Sequence, residues 1–223
     1  MDSFTTIYER AAKRKGGVDA LEDLLPKAKT ARSLVRVKDD RYLSEMTKCV
    51  FRSGFVWQII ERKWPGFEEA FDQFDVTTCS MLGDEAFETL VQNANIVRNG
   101  MKIRAVQQNA AFILSIRQSH GSFGKFLSQW PADDFVGLWQ LMKKEGGRLG
   151  GQTGRFFLRF VGKDTPILSA DVVTALMQQN VVDKPPTSQK ALGAVQSAFN
   201  EWHAQSGRDY CTISRTLSCS VSS

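Results

Sequence analysis

The chain has 223 residues, four cysteines, two histidines and a formal net charge of +5. This length is enough for one large domain or two small lobes. The cysteines form no CxxC pair, and two histidines are too few for recognisable zinc or iron–sulfur ligand spacing. No stretch resembles a signal peptide or a membrane span. We therefore expect a cytoplasmic protein with reduced thiols and no metal or cofactor, whose positive charge favours a polyanionic partner such as nucleic acid.

The N-terminal region is predicted to be basic and helical. Phe4–Lys15 has the period of an amphipathic helix, and Val18–Leu25 forms a second short helix. The polar, basic stretch Lys27–Lys38 that follows is typical of a solvated linker. We therefore predict basic N-terminal helices and a linker over residues 1–38, ahead of a helical region over residues 39–223.

A long helix is predicted over Asp40–Trp64, because apolar residues recur on two of its faces. Such a helix is buried between layers or lines a cleft. Gly54 allows another group to approach the backbone closely, at a helix cost of ~1 kcal/mol relative to alanine. Pro65 and Gly66 are expected to end this helix.

Periodicity and turn residues predict further helices along the rest of the chain. Asp84 is expected to cap one of them. No stretch alternates with period two over several β-branched residues, so the sequence predicts an all-α protein. The predicted helices cover residues 67–74, 84–91, 101–118, 123–130, 135–144, 155–161, 171–179 and 188–204, with one short helix in the tail at 209–223.

A glycine-rich stretch, Leu149–Gly162, lies between two segments of helical period. Its turn, Gly150–Gly154, exposes backbone N–H groups beside a helix N-terminus, which is a ready site for an anion such as phosphate. Two packed helices also often need a glycine turn, so the stretch alone is weak evidence for binding. Asp171 begins the next predicted helix.

Two longer patterns are similar to the DNA-3-methyladenine glycosylase I family of the helix-hairpin-helix DNA glycosylase superfamily. They are LSEMTKCVFRSGFVWQIIERKWPGFEEAFDQFD at residues 43–75 and NANIVRNGMKIRAVQQNA at residues 93–110. The resemblance extends over about residues 42–183. It implies a two-lobed helix-hairpin-helix fold with a base pocket between the lobes and the hairpin at 149–162.

The chain departs from that family at two places. Cys49 stands where the family has the carboxylate that recognises the methylated base, and Glu45, one turn earlier, is the candidate substitute. The family's zinc-binding cysteines and histidines near both ends are missing. The resemblance therefore indicates a divergent member, and the excised base cannot be copied from the family name.

The resemblance implies a monofunctional DNA glycosylase that removes an alkylated purine, similar to 3-methyladenine, from DNA. Such an enzyme flips the base out of double-stranded DNA and uses a carboxylate to assist hydrolysis of the N-glycosidic bond. Asp171 lies near the catalytic aspartate of other superfamily members and is the catalytic candidate, with helix capping by Ser169 or Asp171 as the alternative. Lyase-active members carry a lysine where this chain has Phe156, so no Schiff-base chemistry is expected.

The candidate site residues fall into two further sets, one for the base and one for the DNA backbone. Aromatic residues at helical spacing are more often core, and basic residues are more often merely solvated, so both readings stay open at each position. The base-pocket candidates are Trp57, Phe51, Phe55, Cys49 and Glu45. The DNA-contact candidates are Gly151, Gln152, Thr153, Gly154, Arg155, Lys163, Arg52 and Lys102.

Two rival functions stay open at this point. One is a non-catalytic DNA-binding protein of the same fold that recognises damaged or abasic duplex. The other is a helical interaction protein whose basic N-terminal region docks an acidic partner. For the glycosylase and for the non-catalytic DNA-binding protein, the expected partner is double-stranded DNA with a damaged base. Either protein is expected to act as a monomer, away from any membrane.

Overall fold

A computed structural model describes residues 1–222, and within that range it contains α-helices and no β-strand, so the predicted all-α class is confirmed. Ser223, the last residue of the predicted tail, lies outside the described residues. No helix in the described range is both long and apolar enough to cross a membrane. The helices are α1 (Phe4–Lys15), α2 (Val18–Glu22), α3 (Ala31–Val35), α4 (Asp39–Arg52), α5 (Trp57–Ala70), α6 (Val76–Ser80), α7 (Asp84–Gln92), α8 (Gly100–His120), α9 (Phe123–Gln129), α10 (Phe135–Glu145), α11 (Gln152–Val161), α12 (Ala170–Gln178), α13 (Gln189–Ser206) and α14 (Tyr210–Ser220).

The chain separates into two compact units. Unit 1 comprises residues 1–29, 131–138 and those from 162 onward, and unit 2 comprises residues 30–130 and 139–161. The predicted boundary after residue 38 falls inside unit 2.

Unit 2 is built around α4, which packs against α8, α9 and α11. Its core contains a cluster of fully buried rings, in which Tyr42 lies 5.2 Å from Phe123 and Phe123 lies 6.2 Å from Phe157, centroid to centroid. The Tyr42 hydroxyl donates a 2.8 Å hydrogen bond to the carbonyl of Leu34. This bond ties α3 to the core and satisfies a buried polar group.

Unit 1 is built from the two ends of the chain, with α1, α12 and α13 packed on α14. The carboxylate of Asp164 accepts hydrogen bonds from the backbone N–H groups of Tyr210 and Cys211, each 2.9 Å long, and so satisfies the N-terminus of α14. The predicted tail helix is therefore confirmed. It is a buried element, because Tyr210, Ile213 and Leu217 are almost fully buried.

The long helix predicted over Asp40–Trp64 is wrong, because the chain breaks between α4 and α5. Ser53 and Val56 have extended backbone, and Gly54 adopts φ of +76°. An L side chain rarely adopts that conformation, so Gly54 permits a turn here. The break turns one predicted helix into two and exposes the start of α5.

The predicted end at Pro65 is also wrong, since α5 continues through it to Ala70. An internal proline costs ~3 kcal/mol or more. Stacked aromatic packing offsets that cost: the Trp64 ring lies 5.1 Å from the Phe67 ring and 5.5 Å from the Phe74 ring. The short helix predicted over residues 67–74 is replaced by the end of α5 and a tight turn with positive φ at residues 72–74.

The structure corrects three smaller predictions, which concern where helices begin or what precedes them. The predicted linker 27–38 contains a helix, α3, capped by the Thr30 hydroxyl, which accepts from the Ser33 N–H. Asp84 lies in the first turn of α7, and Gly83 precedes it as the N-cap residue. The helix of the glycine-rich stretch begins at Gln152, three residues before the predicted start.

Candidate functional site

A cavity of about 190 Å³ lies in unit 2, where α4 ends and the first turns of α5 and α11 meet it. The break between α4 and α5 forms part of the cavity, since Ser53, Gly54 and Trp57 all line it. The lining residues are Cys49, Arg52, Ser53, Gly54, Trp57, Gln152, Thr153, Phe156 and Phe160.

Three aromatic rings form one wall of the cavity. The Trp57 ring meets Phe156 and Phe160 edge to face, with centroids 6.0 Å apart in each case. Phe156 and Phe160 stand one helical turn apart on α11, and their rings stack at 5.7 Å. Trp57 is 46% exposed and Phe160 is 40% exposed. Large apolar rings that remain exposed beside a cavity can accept a flat ligand.

The guanidinium of Arg52 lies over the same rings. Its central carbon is 4.9 Å from the Trp57 centroid and 5.3 Å from the Phe160 centroid. Glu61 accepts a 3.1 Å hydrogen bond from the Nε of Arg52, and the Glu45 carboxylate lies 3.7 Å from its Nη1. Arg52 is therefore held between two carboxylates and two aromatic faces.

Cys49 and Glu45 lie one turn apart on α4, beside Arg52. The Cys49 thiol donates a 3.6 Å hydrogen bond to the Glu45 carboxylate. Burial raises the pKa of the Cys49 thiol, and the charge of Glu45 adds to that effect. Burial also raises the pKa of the Glu45 carboxyl. Cys49 is therefore a neutral thiol at physiological pH.

Lys102 is a buried lysine, only 4% exposed. Its ammonium donates hydrogen bonds to the carbonyls of Phe51 at 3.2 Å and Ser53 at 2.5 Å, and lies 4.5 Å from the centre of the Phe55 ring. Burial lowers its pKa. Lys102 therefore caps the C-terminal end of α4, and its burial runs against the predicted phosphate contact.

The hairpin between α10 and α11 is fixed by close backbone contacts. The side chain of Asn109 accepts from the Gly147 N–H at 2.8 Å and donates to the Gly147 carbonyl at 3.2 Å. A Cβ atom at Gly154 would lie 2.2 Å from the Leu149 carbonyl oxygen. Arg148 and Gly151 have positive φ, of +59° and +61°. The turn therefore spans residues 146–151, and Thr153 and Gly154 belong to the first turn of α11.

The predicted DNA-contact residues of this hairpin differ in exposure. Gly151 and Gln152 are exposed and Thr153 is half-buried at the start of α11. Arg155 stacks on Trp139, 4.1 Å from the ring centre, and burial lowers its pKa to about 10. Arg155 thus packs within unit 2, which makes it a poor surface contact for phosphate.

Asp171 and Lys163 both belong to unit 1. Asp171 is half-buried in the first turn of α12, whose N-cap is Ser169: the Ser169 hydroxyl accepts from the Val172 N–H at 3.3 Å. Ser169, rather than Asp171, therefore provides the cap. Lys163 is only 8% exposed, and burial lowers its pKa, so its position also runs against a phosphate contact.

The cavity brings together some of the predicted base-pocket residues and omits others. Cys49 and Trp57 line it, whereas Phe51 is fully buried and packs 4.7 Å from Phe67 in the core. Phe55 is 39% exposed beside Lys102, outside the lining set. Phe156 and Phe160 are wall residues that were not predicted, although their spacing of four on a helix places them on one face.

Residues 34–143, just under half of the chain, match the family model described as methyladenine glycosylase. The predicted resemblance to that family is confirmed. The DNA-3-methyladenine glycosylase 1 of Escherichia coli (strain K12) is 32% identical over 76 residues. That alignment covers 34% of this chain and 41% of the E. coli protein, less than half of that relative's length.

Solved structures show the same fold. The 3-methyladenine DNA glycosylase I of Staphylococcus aureus superposes with a TM-score of 0.50 at 25% identity, over 56% of this chain and 77% of that one. The 8-oxoguanine DNA glycosylase of Methanocaldococcus jannaschii superposes with a TM-score of 0.50 at 14% identity, over 94% of this chain and 91% of that one. The predicted helix-hairpin-helix glycosylase fold is thus confirmed.

Proposed function

We propose that the protein is a DNA glycosylase that removes an alkylated purine similar to 3-methyladenine from double-stranded DNA. The observation that carries the proposal is the aromatic cavity beside the hairpin, five of whose nine lining residues lie in the segment 34–143 that matches the methyladenine glycosylase model. The E. coli relative is itself named a DNA-3-methyladenine glycosylase.

In this proposal the cavity receives the flipped base. An enzyme that cleaves the bond to a base must take that base out of the stack and hold it between aromatic or apolar side chains. Trp57, Phe156 and Phe160 offer such surfaces, and Gln152 and Thr153 offer polar groups for the edge of the base.

The hairpin contacts the DNA backbone in this proposal. Exposed N–H groups at a helix N-terminus attract phosphate oxygens, and such contacts position a protein on DNA without reading sequence. The exposure of Gly151 and Gln152 at the start of α11 supports this assignment. The basic surface of the chain would add affinity that weakens with salt.

Asp171 supplies the catalytic carboxylate in this proposal. Loss of the base leaves a sugar with positive charge at C1′, which a carboxylate stabilises directly or by activating water. Because Ser169 caps α12, the Asp171 carboxylate is not needed as the cap. Phe156, at the place of the lyase lysine in the resemblance, supports simple hydrolysis without a Schiff base.

A lesion panel tests the proposal. Duplexes with 3-methyladenine, 7-methylguanine or hypoxanthine are incubated with the protein and heated in alkali, which cleaves the abasic sites formed by base release. We expect release from at least one alkylated purine, and a loss of rate of about 10²- to 10⁴-fold in Asp171→Asn. Asp183→Asn, at an exposed carboxylate of the same unit, is the matched control and should retain full rate.

Two results would count against the proposal. A folded protein that releases no base from any lesion is not a glycosylase for these substrates. Full activity of Asp171→Asn would remove the role proposed for that residue while leaving the activity itself.

A second function is favoured by one observation. Among the cavity-lining residues that the structure describes there is no carboxylate, and the Cys49 thiol is neutral. A non-catalytic protein of the same fold would bind abasic or damaged duplex without releasing a base. Binding of a lesion duplex that persists without product in the same panel would select this alternative.

A further inference from the structure

A second cavity of unit 2, of about 440 Å³, is bounded by α7, the first turns of α8 and the turn that precedes α11. We propose that it receives a phosphate group of the DNA backbone, and that the guanidinium of Arg148 binds this phosphate. The inference rests on the proposed function, because it takes double-stranded DNA as the partner. We call this space the arginine cavity, since Arg104 and Arg148 both line it.

The charge that faces the arginine cavity is positive. Arg104 and Arg148 are its charged lining residues, and no carboxylate lines it within residues 1–222. A concave surface that carries charge of one sign concentrates ions of the opposite sign, and DNA presents a phosphate at every nucleotide. The other lining residues are uncharged and add no attraction for phosphate: Phe87, Gly100, Met101 and Gln108.

The charge of Arg148 is not compensated within the fold. Arg148 is exposed, and no ion pair among residues 1–222 involves it. The Lys102 ammonium donates to the carbonyls of Phe51 and Ser53 rather than to a carboxylate. Burial lowers the pKa of Lys102, and the positive charge of Arg148 adds to that effect. Two cations close enough to interact therefore lack an ion-pair partner in the part of the chain that the structure describes, and an anion would stabilise both.

Arg104 is paired only weakly. The central carbon of its guanidinium lies 3.8 Å from the centre of the Phe87 ring, and its Nη2 donates a 2.9 Å hydrogen bond to the Asp84 carboxylate. The Asp84 side chain is 94% exposed, so solvent screens this pair and it contributes little. A phosphate beside Arg148 can therefore interact with Arg104 without the loss of a buried ion pair.

The backbone at Arg148 is strained. Its φ is +59°, a conformation that glycine adopts freely and that is unfavourable for residues with a side chain. Strained positions of this kind cluster at binding sites. The same hairpin presents Gly151 and Gln152, the proposed contacts for another phosphate. Arg148 thus adds a charged contact beside the uncharged N–H contacts of the hairpin.

The salt dependence of binding tests the contact. Each phosphate that a protein cation neutralises releases counterions, which steepens the fall of affinity with salt. Affinity of the full chain for a duplex with a tetrahydrofuran abasic analogue is measured by fluorescence anisotropy between about 0.05 and 0.3 M salt. Arg148→Gln should reduce the slope of log affinity against log salt by about 1, and weaken binding about five- to ten-fold at about 0.1 M salt. Arg148→Lys should keep the wild-type slope.

Arg117→Gln is the matched control. Arg117 is an exposed arginine near the other end of α8, about 25 Å along the helix from Gly100. The substitution changes the net charge by the same amount but should leave the slope unchanged, because a charge so distant is screened. Arg104→Gln should reduce the slope by less than Arg148→Gln, because Asp84 already compensates part of the Arg104 charge.

Two further measurements separate a phosphate contact from a structural role. Arg148→Gly removes the backbone strain, so its midpoint of thermal unfolding should equal or exceed the wild-type value while its salt slope falls as in Arg148→Gln. Base release with protein in excess should reach the same maximal rate in Arg148→Gln as in the wild type. The protein concentration that gives half of that rate should rise as much as affinity falls.

The outcomes distinguish this inference from the proposed function. A folded Arg148→Gln or Arg148→Gly protein with the wild-type slope overturns the inference alone. An equal loss of slope in Arg117→Gln also overturns it, because the effect would then reflect net charge. Absence of base release, with the loss of slope at Arg148 observed, overturns the proposed function and supports the phosphate contact in a non-catalytic DNA-binding protein. Absence of affinity for any duplex at low salt overturns both.

Discussion

The ammonium of Lys102 lies 2.5 Å from the carbonyl oxygen of Ser53 and holds the point at which α4 ends and the cavity rim begins. A buried cation that satisfies the last carbonyls of a helix neutralises the negative end of its dipole. Ser53 and Gly54 line the cavity, so one side chain on α8 fixes both the helix end and the rim.

Replacing Lys102 with methionine should destabilise the protein. The substitution keeps much of the apolar stem but removes two charge-assisted hydrogen bonds, to Phe51 and Ser53, from a buried position. We expect the free energy of unfolding to fall by about 2 kcal/mol in urea titrations. Lys125→Met, at an exposed lysine, should change it by less than about 0.5 kcal/mol. Equal effects of the two substitutions would contradict the capping role.

A methyl group added at Gly154 of the hairpin should destabilise the protein. A Cβ there would lie 2.2 Å from the Leu149 carbonyl oxygen, and backbone cannot move aside cheaply. We expect Gly154→Ala to lower the free energy of unfolding by about 1–3 kcal/mol. Gly193→Ala, in a helix with no atom within 4 Å of the new methyl, should instead stabilise by about 0.5–1 kcal/mol. Because the two substitutions should change stability in opposite directions, thermal unfolding is enough to separate them. A Gly154→Ala protein as stable as the wild type would contradict the tight packing at Gly154.

Trp57 should matter more for binding than for folding. Its ring is 46% exposed and contacts Phe156 and Phe160 at their edges. A base stacked on an aromatic ring contributes about 1–3 kcal/mol, so Trp57→Ala should weaken lesion binding by about 10- to 100-fold. The free energy of unfolding should change by only about 1 kcal/mol.

The control for Trp57 is another exposed apolar residue of unit 2. Met101 is 68% exposed and lies outside the lining set of the cavity. Met101→Ala should leave lesion affinity unchanged when the affinities of both variants for the same lesion duplex are measured by fluorescence anisotropy. A Trp57→Ala protein that binds lesions normally would remove this wall from the base site.

Glu45 should make stability depend on pH in an unusual direction. Burial raises the pKa of its carboxyl above the ordinary value, so the folded protein retains a proton that the unfolded chain has lost. Between those two pKa values stability therefore falls as pH rises. Glu45→Gln should raise the free energy of unfolding relative to wild type more at pH 7 than at pH 4.

The control for this pH effect is Glu88, an exposed glutamate of unit 2. Urea titrations of Glu88→Gln should show the same difference from wild type at both pH values. A Glu45→Gln protein whose stabilisation is equal at pH 4 and pH 7 would show that the carboxyl pays no net desolvation penalty in the fold.

Local rules predicted most helices but failed where packing decided the outcome. Periodicity placed the helices that begin near Met101, Phe135 and Ser188 within a residue or two of their observed starts. It joined α4 to α5, because the apolar pattern runs unbroken across Gly54 and only the three-dimensional packing of Trp57 requires the turn. It ended α5 at Pro65, because a propensity rule does not include the stacking of Trp64 and Phe67.

The candidate site could be predicted only in part from the sequence, because packing also decides which residues line it. Cys49 and Trp57 were identified through the spacing of a family pattern, and both line the cavity. The sequence identifies Phe156 only as the residue at the position of the lyase lysine, since nothing in one sequence shows that α11 packs on α4. The sequence predicts Lys102 and Lys163 as DNA contacts, but both are buried, because charge alone does not report burial.

Unit 1 joins the first helix of the chain to the last. Ile7 and Ala11 of α1 are fully buried, and α1 packs on α14, which ends at Ser220. The Trp202 indole donates a 3.2 Å hydrogen bond to the carbonyl of Asp2. Closing so long a loop is costly and slow relative to local contacts. During synthesis α1 is made long before α14, so the apolar face of α1 lacks this packing partner until α14 has been made. The environment of Asp171 on α12, which also packs on α14, is completed only then.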